Sequence, residues 1–489
     1  MTISQIINDF KKNNPGADTT MIRLAYDFAV KAHAGQKRKS GEPYIQHCLH
    51  TAFTLVQIKA DLETIIAGLL HDIPEDTEFT LADIEKNFGK ETASLVEGIT
   101  KLSKIKYRGI ERYRESLRKM FLAMAQDLRV ILIKFADRLH NLRTLEYLPL
   151  EKRQRIARET LEIYAPVAGL LGVWRLKLQM EDICFKYLYQ EDYKKLAYKY
   201  EVEKKLEHNQ YIQKVKNLLG AKLREAKIPF KITSRFKNLY SIYLKLRKKE
   251  RKFDEIYDVF ALRIIVPDIA DCYKALGIIH ALWRPNPGRF KDYIAVPKPN
   301  GYKALHTTVY GPGGKPAEFQ IRTKEMDDGA KYGIAAHWFY KLDGGRGKNA
   351  HRQPAWVKEI LNIQKETENT SDFIKQIEFD VFNDRIFVFT PKGDVFDLPE
   401  GSTPIDFAYY VHSDVGNQAI SALVNDKIAP LDVELKNGDL VEIITDKKRK
   451  GPNRDWLKFI KTATARNKIK QNLRRSVLDN IRRFIPRIK

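Results

Sequence analysis

The sequence predicts a multidomain chain: an all-α N-terminal region, an α/β region in the middle, and a small β-rich module followed by a basic helical tail. Three observations carry that prediction. From residue 20 to about 195, apolar residues recur at spacings of three and four, the helical period, with little strand-like alternation. From Phe230 the pattern changes to short apolar runs bounded by Gly and Pro. From 384 to 446, strand-like segments such as Arg385-Ile386-Phe387-Val388-Phe389-Thr390 alternate with turns such as Pro391-Lys392-Gly393. The 489 residues leave room for roughly three domains, and 43% hydrophobic residues suffice for ordinary packed cores.

The bulk composition narrows the function classes. No uninterrupted apolar run approaches the ~20 residues of a membrane span. Met1 to Phe10 lacks a charged start followed by an apolar stretch, so no secretory leader is expected. The cysteines are Cys48, Cys184 and Cys272, with no CxxC pair. That argues against a disulfide framework or zinc ribbon and fits a reducing cytoplasm. The net charge of +24 attracts polyanions: nucleotides, RNA or an anionic membrane surface. On charge alone, a merely soluble basic protein is the other reading. The excess is concentrated in Lys447-Lys448-Arg449-Lys450 and in the tail from Lys461 to Lys489.

In the helical region, the run Ile65-Ile66-Ala67-Gly68-Leu69-Leu70 reads as a buried helix ending in His71-Asp72-Ile73-Pro74-Glu75-Asp76. Buried acids this close repel one another unless a cation sits among them. His47 and Asp137, the latter in Phe135-Ala136-Asp137-Arg138-Leu139-His140-Asn141, lie on other helices of the same region. Two imidazoles and two carboxylates form a mixed N/O site that suits Mn, Fe or Mg better than a closed structural zinc site. Water on such an ion becomes a good nucleophile near neutral pH. Glu75 and Asp76 are close enough in sequence to position it or shuttle its proton. The basic loop Lys37 to Tyr44 suits a phosphate, or a purine stacked on Arg38. Singly, each piece has a plain reading: a chance dipeptide, a core histidine, an Asp137–Arg138 ion pair. Together they point to a metal-dependent phosphohydrolase.

These motifs resemble the HD-type hydrolase domain of the long RelA/SpoT homologues (Rel), enzymes that make and destroy (p)ppGpp. The resemblance implies that residues 1–195 form an all-helical domain removing the 3′-pyrophosphate with Mn²⁺. It implies His47, His71, Asp72 and Asp137 as metal ligands, and Glu75 and Asp76 as the residues that activate or orient water. It implies Arg38, Lys39, Ser40, Asn141, Arg143 and Thr144 as the nucleotide-binding set. Pro74 stands where the family usually has a small aliphatic residue.

Residues 196–225 read as a charged helical connector, and Val259 to Val266 as a buried strand bounded by Pro267. Thr307–Tyr310 and Ala317–Arg322 read as two more strands, joined by Gly311-Pro312-Gly313-Gly314. Arg289, Lys291, Lys298 and Lys303 are spaced through a Pro/Gly-punctuated loop that can hold cations rigidly around a polyphosphate. Tyr302, after Gly301, can offer its ring to a base. Asp258 and Glu318 are acids in an otherwise basic cleft, which suggests Mg²⁺ carried by a nucleoside triphosphate. A basic RNA-binding surface with structural acids is the other reading of these residues.

Residues 235–341 closely resemble the Rel synthetase domain, an α/β nucleotidyltransferase-like fold here placed within 196–341. The resemblance implies transfer of the β,γ-pyrophosphate of ATP to the 3′-hydroxyl of GTP or GDP. It implies that Asp258 and Glu318 bind Mg²⁺, with Glu318 also the base. Arg235 and Arg263 would sandwich adenine, and Tyr302 would stack on guanine. Lys298, Asn300, His306, Gln320 and Arg322 would contact phosphates or position the acceptor, with Lys237, Arg289 and Lys291 in the same nucleotide-binding set. Arg289-Phe290-Lys291-Asp292 matches the basic RxKD form of two-way enzymes. Two places depart from the family. Arg235-Phe236-Lys237-Asn238 replaces Arg-Pro-Lys-His, and Asp327 and Lys331 replace the usual His and Glu, which puts acceptor choice or synthetase rate in question.

Residues 342–383 read as a linker with a helix. Residues 384–446 resemble a TGS domain, a small β-grasp-like module, through Val388–Gly393 and Gly438–Thr445. The resemblance implies contact with deacylated tRNA on the ribosome, His412 falling at the tRNA-contacting position; a plain β-strand histidine is the other reading. The basic tail, 447–489, resembles the start of the family's helical region, and the family's cysteine-containing and ACT modules have no counterpart in the residues present. The expectation is a cytoplasmic bifunctional enzyme acting on ATP, GTP/GDP and (p)ppGpp, with ribosome and tRNA as partners and no membrane. Its domains are expected to be coupled antagonistically through the connector near residues 175 to 225. The rivals are a hydrolase-dominant enzyme with weak synthesis, and a tRNA- or ribosome-binding regulator with a decayed synthetase site.

Overall fold

The computed structural model describes residues 1–103, 120–121, 123, 126–200, 205–249, 260–298, 301–333, 363, 376, 379–380, 385–449 and 451–484. The chain divides into two compact units: residues 1–106 with 126–350, and residues 107–125 with 351–489. The linker expected over 342–383 lies, except for residues 363, 376, 379 and 380, outside the described residues.

The first unit begins with helices packed around Leu62–Leu70, whose residues from Thr64 to Leu70 are all buried. Each fully buried Leu or Ile there contributes about 1.5–3 kcal/mol. Helix Ile45–Gln57 lies against it, close enough that a Cβ on Gly68 would run into the Leu55 side chain. Helix Leu128–Arg143 packs on both. Two of these helices share a starting device. Asp61 caps Leu62–Leu70 by accepting from the Thr64 N–H, and Asp127 caps Leu128–Arg143 by accepting from the Arg129 N–H.

One buried guanidinium ties those starts together. Arg129 reaches Asp127 at 2.7 Å, Asp61 at 3.3 Å and Glu91 at 2.6 Å. Its side chain is 8% exposed, so the charges lean on one another rather than on water.

The same unit holds a five-stranded sheet of β1 (Lys231–Phe236), β2 (Phe260–Val266), β3 (Lys291–Asp292), β4 (Leu305–Tyr310) and β5 (Pro316–Thr323), in the order β1-β2-β5-β4-β3. Only the β2–β5 pair is parallel. Helices Lys205–Glu225 and Ile269–Leu282 cover one face, burying Val215, Leu219 and Ile279 with Leu262, Phe319 and Ile321 of the sheet. Because strand side chains alternate, the residues between those apolar positions face the other way. Between β4 and β5 the expected turn contains a short 3₁₀ helix, Pro312–Gly314.

The helical and α/β parts meet within this unit. Lys59 Nζ lies 3.3 Å from Asp328 Oδ2 and 4.9 Å from the centre of the Tyr332 ring. Gly333, at φ +56°, caps helix Lys324–Tyr332 so close to the Leu171–Gly172 backbone that no Cβ fits. Asn238 donates to Glu181 at 3.2 Å, and the Tyr240 N–H to Asp182 at 3.1 Å.

In the second unit, β6 (Arg385–Phe389) pairs with β7 (Val395–Pro399). A three-stranded antiparallel sheet joins β8 (Ala419–Val424), β9 (Lys427–Ala429) and β10 (Val441–Thr445) in the order β10-β8-β9. Helix Pro404–Val411 starts in a capping box of Thr403 and Asp406 and buries Phe407 among Ile386, Val388, Leu398 and Val441. Asp406 also accepts from the Thr462 N–H at 2.9 Å, tying the start of the basic helix Ala463–Phe484 to this core.

Removing Arg129 leaves Asp61 and Asp127 at two helix starts, and Glu91 of helix Leu81–Ser103, without their shared cation. Because Glu91 and Asp127 reach water, Arg129→Met is expected to cost about 1–3 kcal/mol, read as a lower urea midpoint for the helical signal. An unchanged midpoint would show that the network contributes no net stability.

Candidate active sites

The helix packing brings the sequence-predicted ligands together. His47 sits in the first turn of Ile45–Gln57, His71 caps the end of Leu62–Leu70, Asp72 follows it, and Asp137 lies within Leu128–Arg143. His47 Nε2 is 3.2 Å from His71 Nε2, 3.3 Å from Asp72 Oδ2 and 3.4 Å from Asp137 Oδ1. His71 Nε2 is 3.1 Å from Asp72 Oδ2. Ligand atoms of His47, His71 and Asp137 all lie within 4.8 Å of one another, and all three residues are buried. His71 Nδ1 lies 2.9 Å from the Gly68 carbonyl, so Nδ1–H donates there and Nε2 is the atom turned inward as the would-be ligand. This donor set, imidazole nitrogen plus carboxylate oxygen with no thiolate, fits a divalent ion.

The electrostatics favour a cation at the centre. Burial alone would raise Asp72 and Asp137. For Asp72 the His71 and His47 imidazoles outweigh it, and for Asp137 Lys134 and His47 do, so both are held well below the usual carboxylate range. Burial alone would lower His71, but Asp72 and Asp137 raise it to about 9. The metal-free cluster therefore holds a proton on His71 where an ion would otherwise supply positive charge.

Three nearby side chains were not anticipated from the sequence. Tyr44 places its hydroxyl 2.8 Å from both Asp72 Oδ2 and Asp76 Oδ2. Lys134 pairs with Asp137 Oδ2 at 2.9 Å, leaving Oδ1 toward His47. His140 approaches His47, Nδ1 to Nδ1, at 2.8 Å; burial and then His47, His50 and Arg38 push it down to about 2, so its ring is neutral. The helical repeat was the available signal, since Lys134 and His140 lie three residues on either side of Asp137. Glu75 and Asp76 form an exposed short helix, Ile73–Asp76, directly after the ligands.

Beside the cluster opens a pocket of about 280 Å³ lined by Arg38, Lys39, Ser40, Asn141 and Thr144, together with Arg138, Tyr147, Leu148, Lys152 and Ile156. Arg143, expected with them, is not in its lining; it donates to Gln179 at 2.8 Å. About half a helical turn separates the two directions, because Arg143 is only two residues from Asn141.

The second site lies on the face of the five-stranded sheet opposite the two covering helices, where Arg322 is itself buried. Register aligns Arg263 of β2 with Gln320 of β5, His306 of β4 and Lys291 of β3 in one row. Glu318 and Arg322 flank Gln320 at a spacing of two, on the face opposite Phe319 and Ile321. Arg235 occupies the β1 position opposite Ala261, beside Glu318 in register. Arg322 donates to Gln320 at 2.6 Å and to the Tyr302 hydroxyl at 3.1 Å, and that hydroxyl is 2.7 Å from His306 Nε2. Lys237 lies 3.5 Å from Glu318. Burial pushes His306 down to about 4, with Glu318 opposing and Arg322, Lys298 and Lys291 assisting. Arg289 and Lys291 are exposed. Asp258 and Asn300 lie outside the described residues.

The departure at 327 and 331 has a structural sequel. Asp327 is fully buried and lies 2.5 Å from Lys331, 3.2 Å from Arg263 and 3.7 Å from Arg322. Lys331 thus faces an acid one helical turn back rather than standing as an uncompensated cation. His412, in the second unit, is not on a strand: it links helices Pro404–Val411 and Ser413–Gln418, with its side chain 66% exposed and Nδ1 accepting from the Asp414 N–H.

A buried His/Asp cluster beside a basic pocket, sharing a unit with a polar sheet face, defines a two-site protein with a metal-dependent helical domain. Residues 25–174 match the HD domain, 234–345 the region found in RelA / SpoT proteins, and 386–445 the TGS domain. The chain is 46% identical over 488 residues to a GTP pyrophosphokinase of Streptomyces coelicolor, covering 96% of this chain and 57% of that protein. It is 46% identical over 477 residues to the bifunctional (p)ppGpp synthase/hydrolase SpoT of Escherichia coli K12, covering 97% and 67%. It is 47% identical over 476 residues to a guanosine-3′,5′-bis(diphosphate) 3′-pyrophosphohydrolase of Aquifex aeolicus, covering 96% and 67%. The chain belongs to the RelA/SpoT family. It spans about three-fifths of the length of several curated relatives: 57% of the Streptomyces coelicolor protein and 61% of a GTP pyrophosphokinase of Myxococcus xanthus. Among the described residues no helix is long and apolar enough to cross a membrane.

Because His71 holds its proton up to about pH 9, metal binding must displace it. The affinity of the metal-stripped protein for Mn²⁺ is expected to rise about tenfold per pH unit between pH 7 and pH 8, levelling above pH 9. Calorimetric titrations across that range check this; a flat profile would exclude His71 as a ligand that is protonated before binding.

Proposed function

We propose that this chain is a bifunctional (p)ppGpp enzyme. It hydrolyses the 3′-pyrophosphate of (p)ppGpp in the helical part, and in the α/β part transfers pyrophosphate from ATP to the 3′-hydroxyl of GTP or GDP. The observation that carries the reading is the buried cluster of His47, His71, Asp72 and Asp137 opening beside a basic pocket of nucleotide size.

In hydrolysis, His47, His71, Asp72 and Asp137 would hold Mn²⁺. When bound, the ion lowers the pKa of water and polarises a phosphoryl oxygen. Lys39 and Ser40 receive phosphate oxygens, and Arg38 stacks on the base. Glu75 and Asp76, exposed at the mouth, take up the proton of the attacking water, and Tyr44 holds Asp76 in place. In synthesis, Glu318 removes the acceptor hydroxyl's proton, with Lys237 3.5 Å away as its neighbour in the cleft. Glu318 and Asp258 would hold Mg²⁺. Arg263, with Arg235, stacks on adenine; Lys298, Gln320 and Arg322 line the phosphate track, and Arg289 and Lys291 extend it to solvent. The second unit, with His412 exposed, receives the 3′ end of deacylated tRNA on the ribosome.

One observation favours a hydrolase-dominant balance. Arg263 and Arg322 both lie on buried Asp327, which would hold them back from a nucleotide. The test is a paired assay, ATP with GTP and Mg²⁺ in one tube and ppGpp with Mn²⁺ in the other. His71→Ala is expected to lower hydrolysis at least about 100-fold and spare synthesis. Glu318→Gln should lower synthesis about 10²–10⁴-fold and spare hydrolysis. Activity in neither tube would move the reading to a tRNA- or ribosome-binding regulator.

Coupling between the two activities is assigned to the joint of Lys59, Asp328 and Tyr332, with the adjacent Glu181–Asn238 contact. Saturating one site with nucleotide should depress the other activity about fivefold or more, and Lys59→Ala should weaken that effect. Equal depression in wild type and variant would remove Lys59 from the coupling.

A further inference from the structure

His140 has no part in the reaction as described, yet it is 4% exposed and touches both sites of the hydrolase chemistry. Its ring stacks on His50, with centroids 4.7 Å apart and planes 18° from parallel, so its orientation is set by packing. Its Nδ1 is 2.8 Å from His47 Nδ1 and 3.2 Å from Arg38 Nη1.

Proton positions follow from the partners. His47 Nε2 faces His71, Asp72 and Asp137, so a metal-binding His47 needs its lone pair on Nε2 and its proton on Nδ1. That proton points at His140 Nδ1, which must accept. Arg38 can only donate, so it demands the same acceptor. Two donors arriving from different elements thus specify one tautomer of His140, neutral with its proton on Nε2. The path continues. Arg38 Nη2 donates to Asn141 Oδ1 at 2.6 Å, and Asn141 Nδ2 donates to Asp137 Oδ1 at 2.5 Å. A ring of hydrogen bonds runs from one metal ligand, His47, through the pocket residue Arg38 to another, Asp137.

We propose that His140 is a positioning residue: its Nδ1 is the acceptor that holds His47 with Nε2 toward the metal, and it shares that acceptor with Arg38, linking pocket and metal site. The inference rests on the metal-site reading above. Outer partners of this kind are worth about 10–100-fold in metal affinity.

The test measures Mn²⁺ binding to the metal-stripped full chain by the EPR signal of free Mn²⁺, with folding followed by circular dichroism. His140→Leu removes the acceptor and is expected to weaken Mn²⁺ binding at least about 10-fold. His140→Asn places an amide oxygen near the Nδ1 position and is expected to stay within about threefold of wild type, an order of magnitude better than Leu. If the Leu variant does not fold, His140→Gln replaces it, because its amide reaches the Nε2 position instead and should lose affinity likewise. The link to the pocket is read by Arg38→Ala, which should weaken Mn²⁺ binding in the wild-type background and weaken it less beside His140→Leu or His140→Gln, where only the path through Asn141 to Asp137 remains to be lost. Equal binding by the Asn variant and the acceptor-less variant, or additive effects of Arg38→Ala, would overturn the proposal. Absence of Mn²⁺ binding by the wild-type chain would overturn the metal-site reading, and the inference with it.

Discussion

Two carboxylates, Asp72 and Asp137, lie within 3.4 Å of a single buried imidazole nitrogen, and the helical region is arranged around that crowding. Charges this close in a poorly hydrated place require compensation. It comes in layers. His71 answers Asp72, Lys134 takes the outer oxygen of Asp137, and Tyr44 bridges from Asp72 to Asp76. Each of these partners is on a different stretch of chain, so the helices carrying them must keep their relative positions for the cluster to exist. The close approach at Gly68 and the Arg129 clamp at two helix starts supply that rigidity far from the chemistry.

The α/β part solves the opposite problem with strand alternation. Phe319 and Ile321 go inward under two helices, so Glu318, Gln320 and Arg322 go outward together. The central parallel pair places Arg263 in register with Gln320, and the antiparallel neighbour adds His306. A basic row results, with Tyr302 of the loop before β4 lying on Arg322 and His306. Its charges are partly satisfied from below by Asp327, the buried acid of the following helix, which also receives Lys331. The charge reversal that looked disruptive in one dimension is an ion pair across one helical turn.

The joint between these parts is built from the ends of functional elements. Helix Ile45–Gln57 carries His47 near its start, and Lys59, just beyond its end, meets Asp328, the neighbour of Asp327. Gly333 lets the helix holding both acids end against Leu171 and Gly172. The two parts are therefore joined through packed side chains rather than through a flexible linker.

The sequence by itself pointed to the helical, α/β and β-rich regions and to His47, His71, Asp72 and Asp137 as neighbours in one cluster, because these follow from local periodicity and from the chemistry of short motifs. Arg38, Lys39, Ser40, Asn141 and Thr144, singled out through the resemblance, line one pocket. Tertiary structure decided what depends on neighbours distant in sequence. Tyr44 and His140 became part of the metal cluster only because three helices converge, Arg143 turned to Gln179, and Lys331 found Asp327. His412 lies between two helices rather than on the strand of its alternative reading, ending one helix and capping the next by accepting from the Asp414 N–H. Hydrogen-bond partners across a fold are fixed by which surfaces pack, and a one-dimensional pattern carries the period of each surface but not its mate.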